Sequence, residues 1–230
     1  MRHINLIFTI LIFIGVSEVF SQKKEKTIET SLFDNFQVRN IGPAKVSGRI
    51  TKVIKDYSNT STWYVSTASG NVWKTKNSGT TWIPIFENYG SYSIGTITMD
   101  PKNPNILWLG TGENNSQRSV GFGDGIYKSI DGGNSWVNMG LKTSEHIAKI
   151  IVDPKNSENI FVAAQGPLWR SGGQRGLYNS VDGGNTWKRI LHVSDDTGIS
   201  DVVMDHNDNN IMYASTYQRR RHFGILVAGG

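Results

Sequence analysis

The sequence has 230 residues, contains no cysteine and carries a formal net charge of +5 at pH 7. Disulfides, thiolate nucleophiles and cysteine-ligated metals are therefore excluded, and stability must come from packing. Seven tryptophans, eight tyrosines and nine phenylalanines supply the apolar area for a sizeable core. The small positive charge does not by itself indicate an acidic partner, and we expect no binding of nucleic acid.

The N-terminus has the pattern of a secretion signal. Arg2 and His3 precede an apolar run of 13 residues, 4–16, and small side chains at Val19 and Ser21 suit a signal peptidase. The run is shorter than the roughly 20 residues that span a bilayer, so a membrane anchor is disfavoured. We predict a signal peptide at 1–21 with cleavage after Ser21, a flexible segment at 22–35, one repeat domain at 36–230, and a secreted or periplasmic protein.

An eight-residue turn, called the repeated turn below, occurs three times and each time closes on a tryptophan. Its defining residues are Thr75, Asn77, Gly79 and Trp82, then Ser129, Asp131, Gly133 and Trp136, then Ser180, Asp182, Gly184 and Trp187. The tryptophans lie 54 and 51 residues apart, a period that indicates stacked supersecondary units. In each turn we expect the aspartate or asparagine to accept backbone hydrogen bonds, the glycine to adopt positive φ, and the tryptophan to pack between sheets.

Strand patterns recur in register with these turns. First strands are predicted at 50–55, 94–99, 147–152 and 199–204, second strands at 63–67, 106–110, 160–164 and 211–215, and third strands at 72–75, 126–129 and 177–180, with fourth strands starting at the three tryptophans. Four antiparallel strands in about 50 residues predict an all-β fold, a β-propeller of four-stranded blades. We expect three full blades and part of a fourth, with the remaining blades of the same full-length chain as partners. A parallel β-helix is the alternative repeat fold, but it would need shorter and more regular repeats.

Successive antiparallel strands run in opposite directions, so alternate loops lie on opposite faces of the propeller. We call this rule strand parity. The repeated turns share a face with the first-to-second turns, so their aspartates are expected to brace turns and not to act on a ligand. The second-to-third and fourth-to-first loops share the opposite face and are longer, which favours them as binding loops. Candidate ligand-binding residues there are Asn114, Asn115, Arg118, Trp169, Arg170, Tyr217, Arg219 and Arg220.

Aromatic rings beside amides and arginines suit a sugar, although arginines suit carboxylates or phosphates equally well. Glycoside hydrolysis needs two carboxyl groups roughly 5 to 10 Å apart, and the carboxylates that could supply such a pair are Glu113, Glu145, Asp195 and Asp196. The alternative is that these are solvated loop charges. His146 and His222 are isolated and lack ligand spacing, so we expect no metal and no cofactor.

The repeated turn resembles the Asp-box, or BNR repeat, of sialidases, sortilin-type receptor domains and xyloglucanase-type glycosidases. Beyond the turn, the stretch from 39–43 to 218–222 is similar to large secreted bacterial proteins named glycosyl hydrolases or sortilin N-terminal-like proteins. In xyloglucanase-type propellers a catalytic aspartate follows the second strand of the first blade, and Ala68 stands at that position here. No sialidase arginine triad can be assigned, so neither mechanism is implied residue by residue.

These patterns favour a secreted propeller that recognises extracellular glycan or polypeptide through its long-loop face. A glycoside hydrolase acting on extracellular polysaccharide or sialoglycan is the alternative. A structural assembly scaffold is the third possibility, but it leaves the long loops without a role.

Overall fold

The computed structural model describes residues 48–115 and 120–229. The expected signal peptide, the segment 22–35, the start of the repeat domain and Arg118 lie outside the described residues. The described part contains fifteen β-strands in four antiparallel sheets and no helix. None of its segments is a helix long and apolar enough to cross a membrane.

The first two sheets match the predicted blades closely. Blade 1 consists of β1 (Ile50–Lys55), β2 (Trp63–Thr67), β3 (Val72–Thr75) and β4 (Ile83–Pro84), and blade 2 of β5 (Ile94–Met99), β6 (Leu107–Thr111), β7 (Ile126–Ser129) and β8 (Val137–Asn138). Within each blade every strand pairs with the next one along the chain. β6 is buried along its whole length, as a strand between neighbouring sheets must be.

The third sheet is also four-stranded, whereas the fourth has three strands. Blade 3 consists of β9 (Ile147–Asp153), β10 (Asn156–Ala164), β11 (Gly176–Ser180) and β12 (Lys188–Leu191), and blade 4 of β13 (Thr197–Met204), β14 (Met212–His222) and β15 (Ile225–Gly229). The all-β propeller architecture, with three full blades and part of a fourth, is therefore as predicted.

The second strand of blade 4 corrects one prediction. We placed this strand at 211–215 and assigned Tyr217, Arg219 and Arg220 to a long loop, but all three lie on β14. Arg219 pairs with Ala228 and Arg220 with Val227 of β15, across a tight turn in which Gly224 has φ +77°. A run of arginines does not by itself predict a strand. Here the run is part of a strand because it pairs with the apolar strand β15.

Serine and aspartate side chains hold the repeated turns together. Ser129 Oγ accepts the Gly133 N–H at 2.8 Å and lies 2.8 Å from Asp131 Oδ1, to which it donates. Asp131 Oδ1 also accepts the Ser135 N–H at 2.9 Å. Gly133 has φ +89°, a conformation that a side chain would penalise. Ser180, Asp182 and Gly184 repeat this arrangement, and Thr75, Asn77 and Gly79 form a closely related one.

The tryptophan of a repeated turn packs on the preceding blade. Trp136 is 5% exposed, donates its indole N–H to Ile85 O at 3.0 Å and meets Phe86 edge-on. Trp187 donates to Met139 O at 2.7 Å and meets Trp108 edge-on. Trp82, on the first blade described, is 37% exposed. Burial of this residue therefore follows from a neighbouring sheet and not from the turn itself.

Candidate functional site

A cavity of about 520 Å³ opens among the loops that connect second to third strands and fourth to first strands. Every one of its lining residues belongs to these loops or to the segment entering β1, and none belongs to a repeated turn. This is the face on which strand parity places the long loops.

Three exposed aromatic side chains from three different loops line this cavity. Tyr92 precedes β5 and is 62% exposed, Phe122 precedes β7 and is 71% exposed, and Trp169 follows β10 and is 58% exposed. A tryptophan or phenylalanine held in solvent forgoes the burial that stabilises a fold, so three around one cavity form a surface suited to an apolar ligand face. Only Trp169 was predicted as a binding residue.

The loop after β6 is folded tightly against the neighbouring loops. The Gly112 N–H donates to Ser93 O and the Gly123 N–H to Glu145 O, both at 2.7 Å. A Cβ at Gly112 would lie 1.7 Å from Glu145 O, and Gly112 has φ +88°, so only glycine fits there. This close approach brings Glu113 and Glu145, which are 32 positions apart in the sequence, to the same cavity.

Glu113 is buried and bound by two side chains. Its Oε1 accepts from Arg49 through Nε at 2.6 Å and through Nη2, and from Asn115 Nδ2 at 2.9 Å. Arg49 was missed by the sequence analysis, because it lies just before the first predicted strand and belongs to no recognisable loop motif. The Arg49–Glu113 pair joins blade 1 to the loop of blade 2.

Glu145 is the second carboxylate of the cavity. Arg170 Nη2 and Nε lie 2.7 and 3.1 Å from its Oε1. Glu145 has φ +57°, an unusual conformation for a residue with a side chain. The structure thus brings together the predicted residues Glu145, Arg170 and Trp169, from the loops before β9 and after β10.

His146 also lines the cavity. It is 1% exposed, and its pKa is lowered to about 3, first by burial and then by the positive charge of Arg219. The imidazole is therefore neutral at pH 7. Among residues 48–115 and 120–229 no three histidine, aspartate or glutamate side chains come together as a metal site would require.

Asp195 and Asp196 do not join the cavity. They lie between β12 and β13, where Asp195 is 3.5 Å from His192 Nε2 and Asp196 is 3.3 Å from Arg220 Nε. Of the four carboxylates predicted as a possible catalytic set, the structure pairs only Glu113 with Glu145 around one space.

The remaining predicted binding residues mostly hold the loops. Asn114 Nδ2 donates to Ile147 O at 2.9 Å, and Asn115 O accepts from Arg219 Nη1 at 2.7 Å. Tyr217 is half-buried on β14. A further buried arginine, Arg175, lies on a loop of the predicted face but was not predicted as a binding residue. Within the described residues it donates to backbone carbonyls, among them Gln165 O at 2.6 Å. Its neighbours in sequence are glycine and glutamine, so nothing local marks it as buried.

No family model matches this chain. It is 23% identical over 167 residues to a xyloglucanase of Paenibacillus sp, covering 66% of this chain and 15% of that protein. It is 26% identical over 143 residues to the xyloglucanase Xgh74A of Acetivibrio thermocellus, covering 55% of this chain and 16% of that protein. The chain thus spans about a sixth of the length of these relatives.

Among solved structures, an ancestral GH74 enzyme superposes with a TM-score of 0.58 at 20% identity, over 74% of this chain and 22% of that one. This likeness concerns the fold alone. The chain has a β-propeller fold and matches about a fifth of that structure.

Proposed function

We propose that this chain is part of a secreted Asp-box propeller that binds extracellular glycan in the cavity of its long-loop face. The observation that carries the proposal is the set of three exposed aromatic rings, Tyr92, Phe122 and Trp169, around one cavity. Sugar rings present apolar C–H faces that stack on such side chains. The similarity to two xyloglucanases supports a polysaccharide as the ligand over a polypeptide.

The polar side chains of the cavity complement these rings. Both described ion pairs use Oε1 of the glutamate, in Glu113 with Arg49 and in Glu145 with Arg170. Within residues 48–115 and 120–229 no donor binds Oε2 of either carboxylate, which leaves this atom to accept a hydrogen bond from a ligand hydroxyl. The three aromatic rings and the two glutamates together can bind a hydroxyl-rich ligand in one orientation, since the rings contact its apolar faces and the carboxylates accept its hydroxyl groups.

Direct binding measurements on the full-length protein test this function. Trp169→Ala and Tyr92→Ala are each expected to weaken binding of oligosaccharides about tenfold, because each loses a stacking surface. Tyr57→Ala is the matched control, since Tyr57 is also exposed but lies in the first-to-second turn of blade 1, away from the cavity. Equal loss in Tyr57→Ala and Tyr92→Ala, or binding of unfolded polypeptide in preference to any glycan, would overturn the proposal.

Glycoside hydrolysis is the second candidate, favoured by the presence of Glu113 and Glu145 in one cavity. Two features favour binding over catalysis. Each carboxylate is engaged by an arginine, and the position where the resemblance predicts a catalytic aspartate is the buried Ala68.

Turnover of polysaccharide by full-length protein separates the two functions. If the chain is catalytic through this cavity, Glu113→Gln and Glu145→Gln each abolish product formation, whereas Glu158→Gln, outside the cavity, does not. We expect the three variants to form product at the same rate.

We further propose that more blades of the same polypeptide cover Trp82, and that export removes residues 1–21. Trp82 is exposed where Trp136 and Trp187 pack on a preceding blade. Mass spectrometry of the exported protein should find an N-terminus at Gln22. An intact Met1 in the exported protein would contradict the signal peptide.

A further inference from the structure

Two buried arginines act electrostatically on the cavity but form no direct ion pair within the described residues. Arg175 and Arg219 are each 1% exposed, and within residues 48–115 and 120–229 neither forms an ion pair with a carboxylate. Arg219 donates to Asn115 O, and all hydrogen bonds of Arg175 end on backbone carbonyls. Carbonyl oxygens stabilise a guanidinium group without cancelling its charge.

The charge of these two arginines reaches the cavity. After burial, the positive charges of Arg219 and Arg175 are what lower the pKa of His146, a residue of the cavity wall. Arg219 also interacts electrostatically with Glu113, and Arg175 with Glu145. Each cavity carboxylate therefore interacts with two guanidinium groups, one in direct contact and one only electrostatically.

The nearby carboxylates do not cancel this positive charge. Asp196 interacts electrostatically with Arg175, but it also lies 3.3 Å from Arg220, whose positive charge acts on Arg175 as well. Asp124 accepts the Tyr127 hydroxyl at 2.5 Å. Arg221 adds further positive charge, with its guanidinium carbon 5.9 Å from the centre of the Trp169 ring. Four arginines thus interact with the two glutamates of the cavity, two by direct contact and two electrostatically, and Arg221 lies over the Trp169 ring.

We propose that the cavity selects acidic glycans, whose sugars carry carboxylate groups, over neutral ones. This inference rests on the glycan binding proposed above and names its substrate class. The side chains of Arg49 and Arg170 are about half exposed at the cavity, and each uses Nε and Nη2 for its glutamate. Within the described part of the chain Nη1 of each arginine has no acceptor, so it can donate to a ligand carboxylate in a charge-assisted hydrogen bond.

A matched pair of ligands tests the preference. One is a neutral xyloglucan oligosaccharide, and the other is the same oligosaccharide with its free primary hydroxyls oxidised to carboxylates. Calorimetric titration at low salt is expected to show about tenfold tighter binding of the oxidised form, and the advantage should shrink at high salt because screening weakens charge attraction. Equal affinities for the two forms would overturn the acidic preference and leave glycan binding standing. Binding of neither would overturn the function itself.

Two variants and a small-anion control locate the effect. Arg49→Gln and Arg170→Gln are each expected to reduce the preference about threefold, while Lys188→Gln, an exposed cation on the outer strand of blade 3, leaves it unchanged. If sodium acetate at equal carboxylate concentration binds as tightly as the oxidised oligosaccharide, the site serves small carboxylates and the proposal is wrong. Should a variant fail to fold, the salt dependence of the unmodified protein still decides.

Discussion

Replacing Trp136 by alanine measures how much the repeated turn contributes to packing between blades. The ring is 5% exposed and contacts Phe86, and its indole N–H bonds Ile85 O. Burying about 200 Å² of aromatic surface at about 25 cal/mol per Å² is worth up to about 5 kcal/mol, and the hydrogen bond adds about 1 kcal/mol. Partial collapse of the space left behind lowers the cost, so we expect a loss of about 4 kcal/mol in the free energy of unfolding.

Urea titration followed by far-ultraviolet circular dichroism gives this loss without relying on tryptophan fluorescence. Trp136→Phe is the conservative control and should lose only about 2 kcal/mol, because it keeps ring packing and lacks the N–H donor. In the 230-residue chain alone, without the further blades proposed to cover Trp82, Trp82→Ala should cost less than Trp136→Ala, since Trp82 is partly exposed there. Equal costs for Trp82→Ala and Trp136→Ala, or a cost below about 1 kcal/mol for Trp136→Ala, would refute packing between blades as the role of the tryptophan.

Three further predictions concern the scaffold. Lys128→Met should lower the free energy of unfolding by about 2 kcal/mol in the same urea assay, because Lys128 Nζ bonds Gly183 O of the next blade at 3.1 Å and lies 5.0 Å from the Trp108 ring centre. Gly95→Ala should cost about 3 kcal/mol, since its Cβ would meet Ile147 O at 2.1 Å, whereas Gly229→Ala, with open space around it, should cost almost nothing. Burial raises the pKa of Asp131, but hydrogen bonds led by that of Ser135 outweigh it and lower the pKa to about 2. The ionised carboxylate therefore contributes fully to the free energy of unfolding above pH 4, and this contribution is lost as the pH falls through 2. Asp131→Asn should make the free energy of unfolding less dependent on pH between pH 4 and pH 2.

The blade pattern could be predicted from the sequence because it is encoded locally and repeated. Alternating apolar residues, turn-forming dipeptides and a tryptophan at a fixed offset each specify one strand or turn. The long β14 could not be predicted this way. Its arginines have weak strand preference by themselves, and only the pairing of Arg219 and Arg220 with β15 extends the strand.

Contacts between blades also escaped the sequence analysis. Lys74 Nζ bonds Gly132 O of the next blade at 2.6 Å and lies 5.1 Å from the Tyr64 ring centre, and Lys128 repeats this contact one blade later. Both lysines lie two positions after the start of a third strand. From the sequence alone, a single cation on a short strand is interpreted as a solvated charge. The recurrence at blade spacing is the signal that could have identified them.

Strand parity predicted the face of the candidate site but not its membership. Glu113 and Glu145 line one cavity because the Gly112 backbone lies against Glu145 O and because Glu145 itself has positive φ. Neither conformation follows from residue type, since glutamate disfavours positive φ and glycine permits almost any. Asp195 and Asp196 lie on the same predicted face and yet join His192 and Arg220. Which carboxylates share a cavity is therefore decided by close backbone approaches between loops of neighbouring blades, and a Gly112→Ala variant should disrupt the cavity without touching any side chain that lines it.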